Sequence, residues 1–467
     1  MTDPVISNLA QYIQQSIDTK FNIAFDETLV LDAIQKLKTD RDLTVPDGKP
    51  DDFVQEKIVE PLVQVLQIDI AIEIKQLIVQ LLEAVFTFFT FDQVLVATSL
   101  SWLIDGLQSQ FLELELLCLN IIVRASPADV LANTPIIKII LTRLSQEDSP
   151  LALVNAIEVV IQELLPRGEL IQRRVKSDEI VSILVQMTQS DILRARLCDL
   201  LVILVPYTGP GELPPTLFVQ PLASLEQKDD PLAIGLVLGF YSKILDYAEE
   251  KPWLVESLWP AFDEIVASYL NGYIHENSMF LEGDASALVG KMSYLPGFSL
   301  LDGKHNILKT AVKNVPSYWK LLSLTNPLAL LETQKEFVET LTLKAATVPI
   351  YENLLSNELS FTGCPISGRD ILKLPAPLNY RVIHSVAEYP HGRHVLLTKW
   401  SQVMSFILDE SHIVETEIWQ LKLDTIQLLL LYPTEEEKGI WNRRLLRLYS
   451  QMKGATDVQA TVASATA

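Results

Sequence analysis

Apolar residues recur along this chain every three or four positions, a spacing that places them on one face of an α-helix. No sustained apolar/polar alternation flanked by hairpin turns accompanies them, so strands are not expected. Two short amphipathic helices are predicted at 4–19 and 27–39, with Asp26 placed to cap the second. The turn-rich stretch 44–52 contains Pro46, Gly48 and Pro50 and breaks the pattern. Further helices are predicted at about 51–66 and 70–89.

From Gln110 to Asp246 the pattern also repeats. Four segments open on a polar or proline start signal and run into an apolar helix, at Gln110, Pro150, Asp191 and Pro231. Their starts lie 40, 41 and 40 residues apart. A period of roughly 40–47 residues made of two or three helices marks HEAT or armadillo repeats. First helices are expected at 135–145, 177–188 and 215–226. Second helices are expected at 111–124, 151–165, 191–205 and 232–248. The predicted fold is all-α, a HEAT/armadillo-like helical-repeat solenoid over residues 1–453. It comprises irregular N-terminal helices (1–90), regular repeats (91–248), an irregular middle (249–360) and C-terminal repeats (361–453). In the middle the period blurs, and Gly283, Gly290, Gly297 and Gly303 point to a loop-rich section. Helices are expected again at 305–332, 333–356, 369–388, 392–408, 412–431 and 435–452, followed by a disordered tail, 454–467.

Charge narrows the function classes. The chain has 59 acidic and 37 Lys/Arg residues, a formal net charge of −22. Such a field repels nucleic-acid phosphates and anionic membranes and attracts a basic partner. Three scattered cysteines, Cys118, Cys198 and Cys364, are too few for a disulfide framework or a zinc site. The start lacks a secretory pattern, and the most apolar passage, 68–107, is interrupted by charges, so no membrane span is expected. A soluble, monomeric, cytoplasmic protein is expected, with the nucleus as a second location open to it.

Candidate chemistry is sparse. Gly297 and Gly303-Lys304 enclose five residues where a phosphate loop has four, and His305 stands where Ser or Thr would hold magnesium. A surface loop is the simpler reading. His391 and His394 are three apart without an acidic or cysteine partner at ligand spacing, which reads as a solvated helix start. No Gly-x-Ser-x-Gly elbow occurs. Neither an enzyme nor a cofactor is expected. The basic groups Arg173/Arg174/Lys176 and Arg443/Arg444/Arg447 read as helix-end charges bonded to carbonyls and acids.

Polar positions recur on one face of the second helices, at offsets 5, 8 and 12 from each start. They include Glu115, Asn155, Glu158, Gln162, Arg196, Asp199 and Lys243. In solenoids such second helices generally line the binding surface, so these seven residues form the candidate partner-binding patch. The alternative is the ordinary solvated side of amphipathic helices.

The strings Asp129 to Leu144, Gly168 to Val175, Leu421 to Leu431 and Trp441 to Gly454 resemble a family of proteasome assembly chaperones, the 26S proteasome non-ATPase regulatory subunit 5 type. Its fungal branch carries an older name as a DNA mismatch-repair protein of enhanced spontaneous mutability. The likeness is best over about 94–205 and 367–454. It implies a C-shaped HEAT-repeat superhelix that binds, on its concave face, the C-terminal domain of the first AAA+ ATPase subunit of the proteasome base. Other base subunits would be engaged indirectly, and the chaperone would leave before the mature proteasome forms. No short binding motif carries contact residues over. Two alternatives stand beside this: a HEAT-repeat adaptor in nuclear transport, disfavoured by the lack of repeated Trp-x-x-x-Asn, and an indirect DNA mismatch-repair factor.

Overall fold

The protein's computed structural model describes residues 4–19, 27–39, 52–66, 70–409 and 415–465, from residue 455 onward as backbone alone. Among the described residues no strand occurs, and the fold is all-α. The first two predicted helices form, at Pro4–Asp18 and Glu27–Thr39. Asp26 and all but the last residue of 44–52 lie outside the described residues. Packing divides the chain into two compact units, Met1–Val219 and Gln220–Ala467, and the boundary falls inside the stretch that the sequence presents as one regular array.

In the first unit four helices stack side by side: α1 (Ile72–Phe86), α2 (Leu112–Ile122), α3 (Leu151–Leu164) and α4 (Asp191–Leu204). Their starts are 40, 39 and 40 residues apart. A second layer, Leu100–Leu107, Ile136–Leu144 and Asp178–Met187, packs alongside. The pattern of α3 shows why this forms. Leu153, Val154, Ile157, Val160, Ile161 and Leu164 are buried, one stripe at helical spacing. Pro150 precedes the first turn, where a missing N–H is harmless.

Cations at the helix ends join one repeat to the one before. Arg124, just past α2, donates from its guanidinium to the Phe86 carbonyl that ends α1, at 2.7 Å. Arg167, past α3, does the same to the Val123 and Ala125 carbonyls beyond α2. Helix C-termini leave their last carbonyls without partners, and a cation there also meets the negative end of the dipole. The basic group Arg173/Arg174/Lys176 also meets carbonyls and acids: Lys176 donates forward to the Tyr207 carbonyl at 2.7 Å and pairs with Glu212, and Arg174 pairs with Glu179.

The second unit continues the same device through α5 (Pro231–Leu245), α6 (Ser278–Met292), α7 (Val315–Leu324), α8 (Val348–Leu355), α9 (Leu378–Glu388), α10 (Thr416–Leu431) and α11 (Asn442–Ala465), each stacked on the next. Their starts are 47, 37, 33, 30, 38 and 26 residues apart. The stack is continuous although the spacing is not, which is why the sequence period blurs. The 20-residue helix Pro252–Asn271 and the extra turn Tyr273–Glu276 lengthen one repeat. Pro316 and Pro327 divide the single helix expected at 305–332 into Ile307–Lys313, α7 and Pro327–Thr333.

The expected loop-rich section is therefore helical. Gly283 and Gly290 lie within α6, and Gly303 lies within Phe298–His305. Gly290 is where α6 crosses close to α7. A Cβ there would stand 2.7 Å from Leu324 Cβ and 3.1 Å from its carbonyl oxygen, so only a bare Cα fits. Further along, the helix expected at 435–452 is broken. Glu435–Lys438 forms one turn, Gly439 takes a positive φ of 47°, and Trp441 turns inward, its indole N–H donating to the Leu397 carbonyl at 2.9 Å. After that break α11 runs to Ala465, past Met452 and into the expected tail.

Candidate protein-binding surface

The solvent side of α1–α4 is built by subtraction, from the positions the core does not use. On α2 the core uses nearly everything. Glu115 is only 1% exposed, and Arg143 of the neighbouring layer donates from one guanidinium nitrogen to both its carboxylate oxygens, at 3.0 and 3.1 Å. Cys118 and Ile122, at the next two offsets, are fully buried. Glu115 thus leaves the predicted patch: it is half of an internal ion pair, out of a partner's reach.

On α3 and α4 the face opens. Asn155 and Gln162 are exposed and Glu158 half-buried on α3; Asp199 is exposed on α4. Arg196 has a different task. Its guanidinium donates to the carbonyls of Gln146 (2.7 Å), Leu144 (3.2 Å), Glu147 and Ser149 (both 3.3 Å), closing the C-terminus of Ile136–Leu144 and the turn after it. It holds the repeat together and cannot turn to a partner without releasing those bonds. Lys243, on α5, is exposed but belongs to the second unit. Of the seven predicted residues, the structure brings Asn155, Glu158, Gln162 and Asp199 to one exposed surface of the first unit.

That surface is acidic for a structural reason. Helices α1–α4 carry eight acidic and three basic residues. Of the three, Arg196 and Arg194 are turned to carbonyls, the latter to that of Thr188. Among the carboxylates, Glu73, Glu83, Glu163 and Asp199 are exposed.

Sequence reasoning missed the apolar part of the surface. Leu151 and Val159 on α3 and Ile192 on α4 are exposed beside the polar positions. The signal was in plain view, since Leu151, Ile192 and Leu232 each follow a segment start by one residue. Apolar anchors ringed by polar and charged groups are the usual anatomy of a protein-binding surface.

The other flagged motifs take structural roles. The Gly297–Lys304 stretch is not the expected surface loop but the helix Phe298–His305 with Gly297 at its N-cap, and Lys304 and His305 in its last turn both bond Asp263, at 2.7 and 2.8 Å. Those two partners hold the Asp263 carboxyl below the usual carboxylate range. His391 and His394 do lie at a helix start, Pro390–Thr398, with His394 exposed, but His391 is half-buried: Nε2 lies 2.9 Å from the Leu355 carbonyl that ends α8, and the ring stacks on Tyr389. Arg393 is buried, donating to the Ala387 and Glu388 carbonyls at 2.8 Å. All three cysteines are buried, and burial pushes the Cys364 thiol up to about 12. Among the described residues no group of three or more His, Cys, Asp or Glu gathers as a metal site, and no helix is long and apolar enough to cross a membrane.

Comparison with known proteins gives two consecutive matches. Residues 11–246 match the family described as DNA mismatch repair protein HSM3, N terminal domain, and residues 251–467 match its C terminal domain. Relatives named DNA mismatch repair protein HSM3 include that of Debaryomyces hansenii, 21% identical over 92% of both chains. That of Scheffersomyces stipitis is 24% identical over 77% of both. The Saccharomyces cerevisiae protein is 24% identical over 77% of this chain and 78% of its own. The two family domains meet between 246 and 251, after α5, whereas packing places α5 in the second unit.

Proposed function

The chain belongs to the HSM3 family, and from that premise we propose that it is a non-catalytic binding scaffold, an assembly chaperone for the base of the 26S proteasome regulatory particle. In this reading it holds the C-terminal domain of an AAA+ ATPase subunit until the particle matures. One observation carries it: a row of stacked helices exposes Asn155, Glu158, Gln162 and Asp199 around the anchors Leu151 and Ile192, while the nearby arginines are spent on carbonyls. A rigid, acidic surface of this kind can hold a basic protein face without making or breaking a bond. A standard interface buries about 1,200–2,000 Å² in all, within the span of a few such helices. Acidic charge also speeds encounter with a basic partner, in a salt-dependent way.

The test is affinity purification of the full chain at low salt. Recovery of proteasomal ATPases without core-particle subunits is the expected result. Recovery of mismatch-recognition proteins or of a nuclear-transport GTPase in their place overturns it. The mismatch-repair name of the relatives favours a second reading, an indirect repair role through a protein partner. The acidic surface disfavours direct contact with DNA phosphates.

A further inference from the structure

The solvent side of α5, α6 and α7 differs from the rest. Leu232 is 82% exposed, Leu236 61%, Met279 90%, Phe280 70% and Trp319 42%. Single exposed apolar residues need no explanation, but adjoining ones do. Here they adjoin. A Cβ on Gly235 of α5 would lie 3.8 Å from Leu281 Cδ2 of α6, and one on Gly283 of α6 would lie 2.9 Å from Lys320 Nζ of α7. Those contacts fix the register of the three helices. Leu232 and Leu236 flank Gly235 on α5, Met279 lies two residues before Leu281 on α6, and Trp319 precedes Lys320 on α7. Leu232 and Leu236 share a face at i, i+4, as do Met279 and Gly283. Gly239 continues the α5 row, with nothing within 4 Å of where its Cβ would stand. Bare backbone at Gly239 lets another backbone come close beside Leu236, whereas the Lys320 ammonium already lies over Gly283.

The edge of this patch is acidic. Glu226, Asp229 and Asp230 gather around Tyr273, whose hydroxyl donates to Asp229 Oδ1 at 2.6 Å. Glu276 and Asp284 are exposed next to Phe280 along the chain. Of the lysines on these helices, Lys291 is bonded to Asp246 and to the Ser242 carbonyl, at 2.5 and 2.9 Å, Lys320 lies over Gly283, and Lys243 stands at the end of α5 away from Leu232. A second copy of this chain fits poorly, because a two-fold contact would set one acidic edge against another. An anionic lipid surface is repelled for the same reason.

We propose that this face of the second unit docks an amphipathic α-helix of a protein partner. The helix's apolar stripe lies on Leu232, Leu236, Met279 and Trp319, and its flanking Lys and Arg residues meet the acidic edge. Helix-in-groove recognition of this kind reads apolar anchors at i, i+3, i+4 and i+7, and the acidic edge selects for basic flanks. The proposal rests on the scaffold reading above and adds the partner's chemistry.

The full chain is titrated, by fluorescence anisotropy, with two labelled helical peptides of about 18 residues, five turns. Both carry the same leucine stripe, one flanked by lysines and the other by glutamates. The lysine peptide is expected to bind at least about tenfold more tightly, and the double variant Leu232→Glu, Met279→Glu to lose that advantage. Gly239→Leu, which fills the floor of the patch, should lose it as well and serves if the double variant does not fold. Gln186→Ala, exposed on Asp178–Met187 of the first unit and outside both surfaces, should change nothing. Equal binding of the two peptides, or unchanged binding by either second-unit variant, overturns the proposal. So does a dimer in sedimentation that the double variant abolishes, which would make a second copy the occupant. Peptide binding does not depend on which proteins the purification recovers, so either idea can fail alone.

Discussion

The two units share one construction and differ in the character of their solvent sides. In both, a row of helices stacks at close spacing, and side chains from one repeat close the carbonyls of the one before. Arg124 and Arg167 do so in the first unit; Lys291, Asn353 and His391 do so in the second. On the first unit's solvent side stand Asn155, Gln162 and Asp199, with scattered apolar anchors. On the second unit's solvent side stand Leu232, Leu236, Met279 and Phe280, with glycines between them. The buried stripe is constrained by its neighbours, and the solvent row is constrained only by what will cover it. A repeat scaffold can therefore diverge in recognition while its core stays interchangeable.

The largest expected effect tests the buried polar framework of the first unit. Arg143→Met leaves the Glu115 carboxylate without its partner, and breaking a buried pair in this way costs about 3–5 kcal/mol. Urea unfolding should show that loss; a change below about 1 kcal/mol would mean that Glu115 finds water or another donor.

In the second unit Gly290→Ala should destabilise by about 1–3 kcal/mol, because the new methyl meets Leu324 Cβ and carbonyl and α7 must move away. Arg167→Ala, in the first unit, removes the donor to the Val123 and Ala125 carbonyls and should cost about 1–3 kcal/mol where those carbonyls stay dry. An equal loss from Asn353→Ala in the second unit, which frees the Leu322 and Thr325 carbonyls, would show that the device is the same in both.

Charge reversal at Glu158 with Asp199 tests the acidic surface of the first unit. Affinity for the recovered ATPase domain should fall about tenfold at low salt, with the difference shrinking as salt screens it. Calorimetric titration that finds no change removes both residues from the interface. The smallest effect has the opposite sign to Gly290→Ala. Gly239→Ala should stabilise by about 0.5–1 kcal/mol, because its helix position has open space and alanine loses less backbone freedom. The same substitution, on two neighbouring helices, separates a glycine that packing requires from one that it does not.

Much of the first unit was legible. The apolar stripe of α3 and the spacing of α2, α3 and α4 lie in the sequence, because a helix's buried face is written at fixed local intervals. The site was less so. Glu115 occupies the same offset as Asn155 and yet is buried, since the side of α2 at that offset faces Arg143. Arg196 reads as a surface charge in the sequence, but four carbonyls from about fifty residues earlier surround it. In the second unit, glycines read as loop signals because their weak helix propensity is a local property. The close approach of α7 to Gly290 is not.

By itself, then, the sequence determined the class of fold, the helices of the regular repeats, the acidic character and the lack of any recognisable catalytic motif. These follow from composition and short-range periodicity. Tertiary structure decided which glycines sit inside helices, which charges are consumed by carbonyls, and which apolar residues remain uncovered. Each of those depends on what a neighbouring repeat places against the residue, and that neighbour is about forty positions away along the chain.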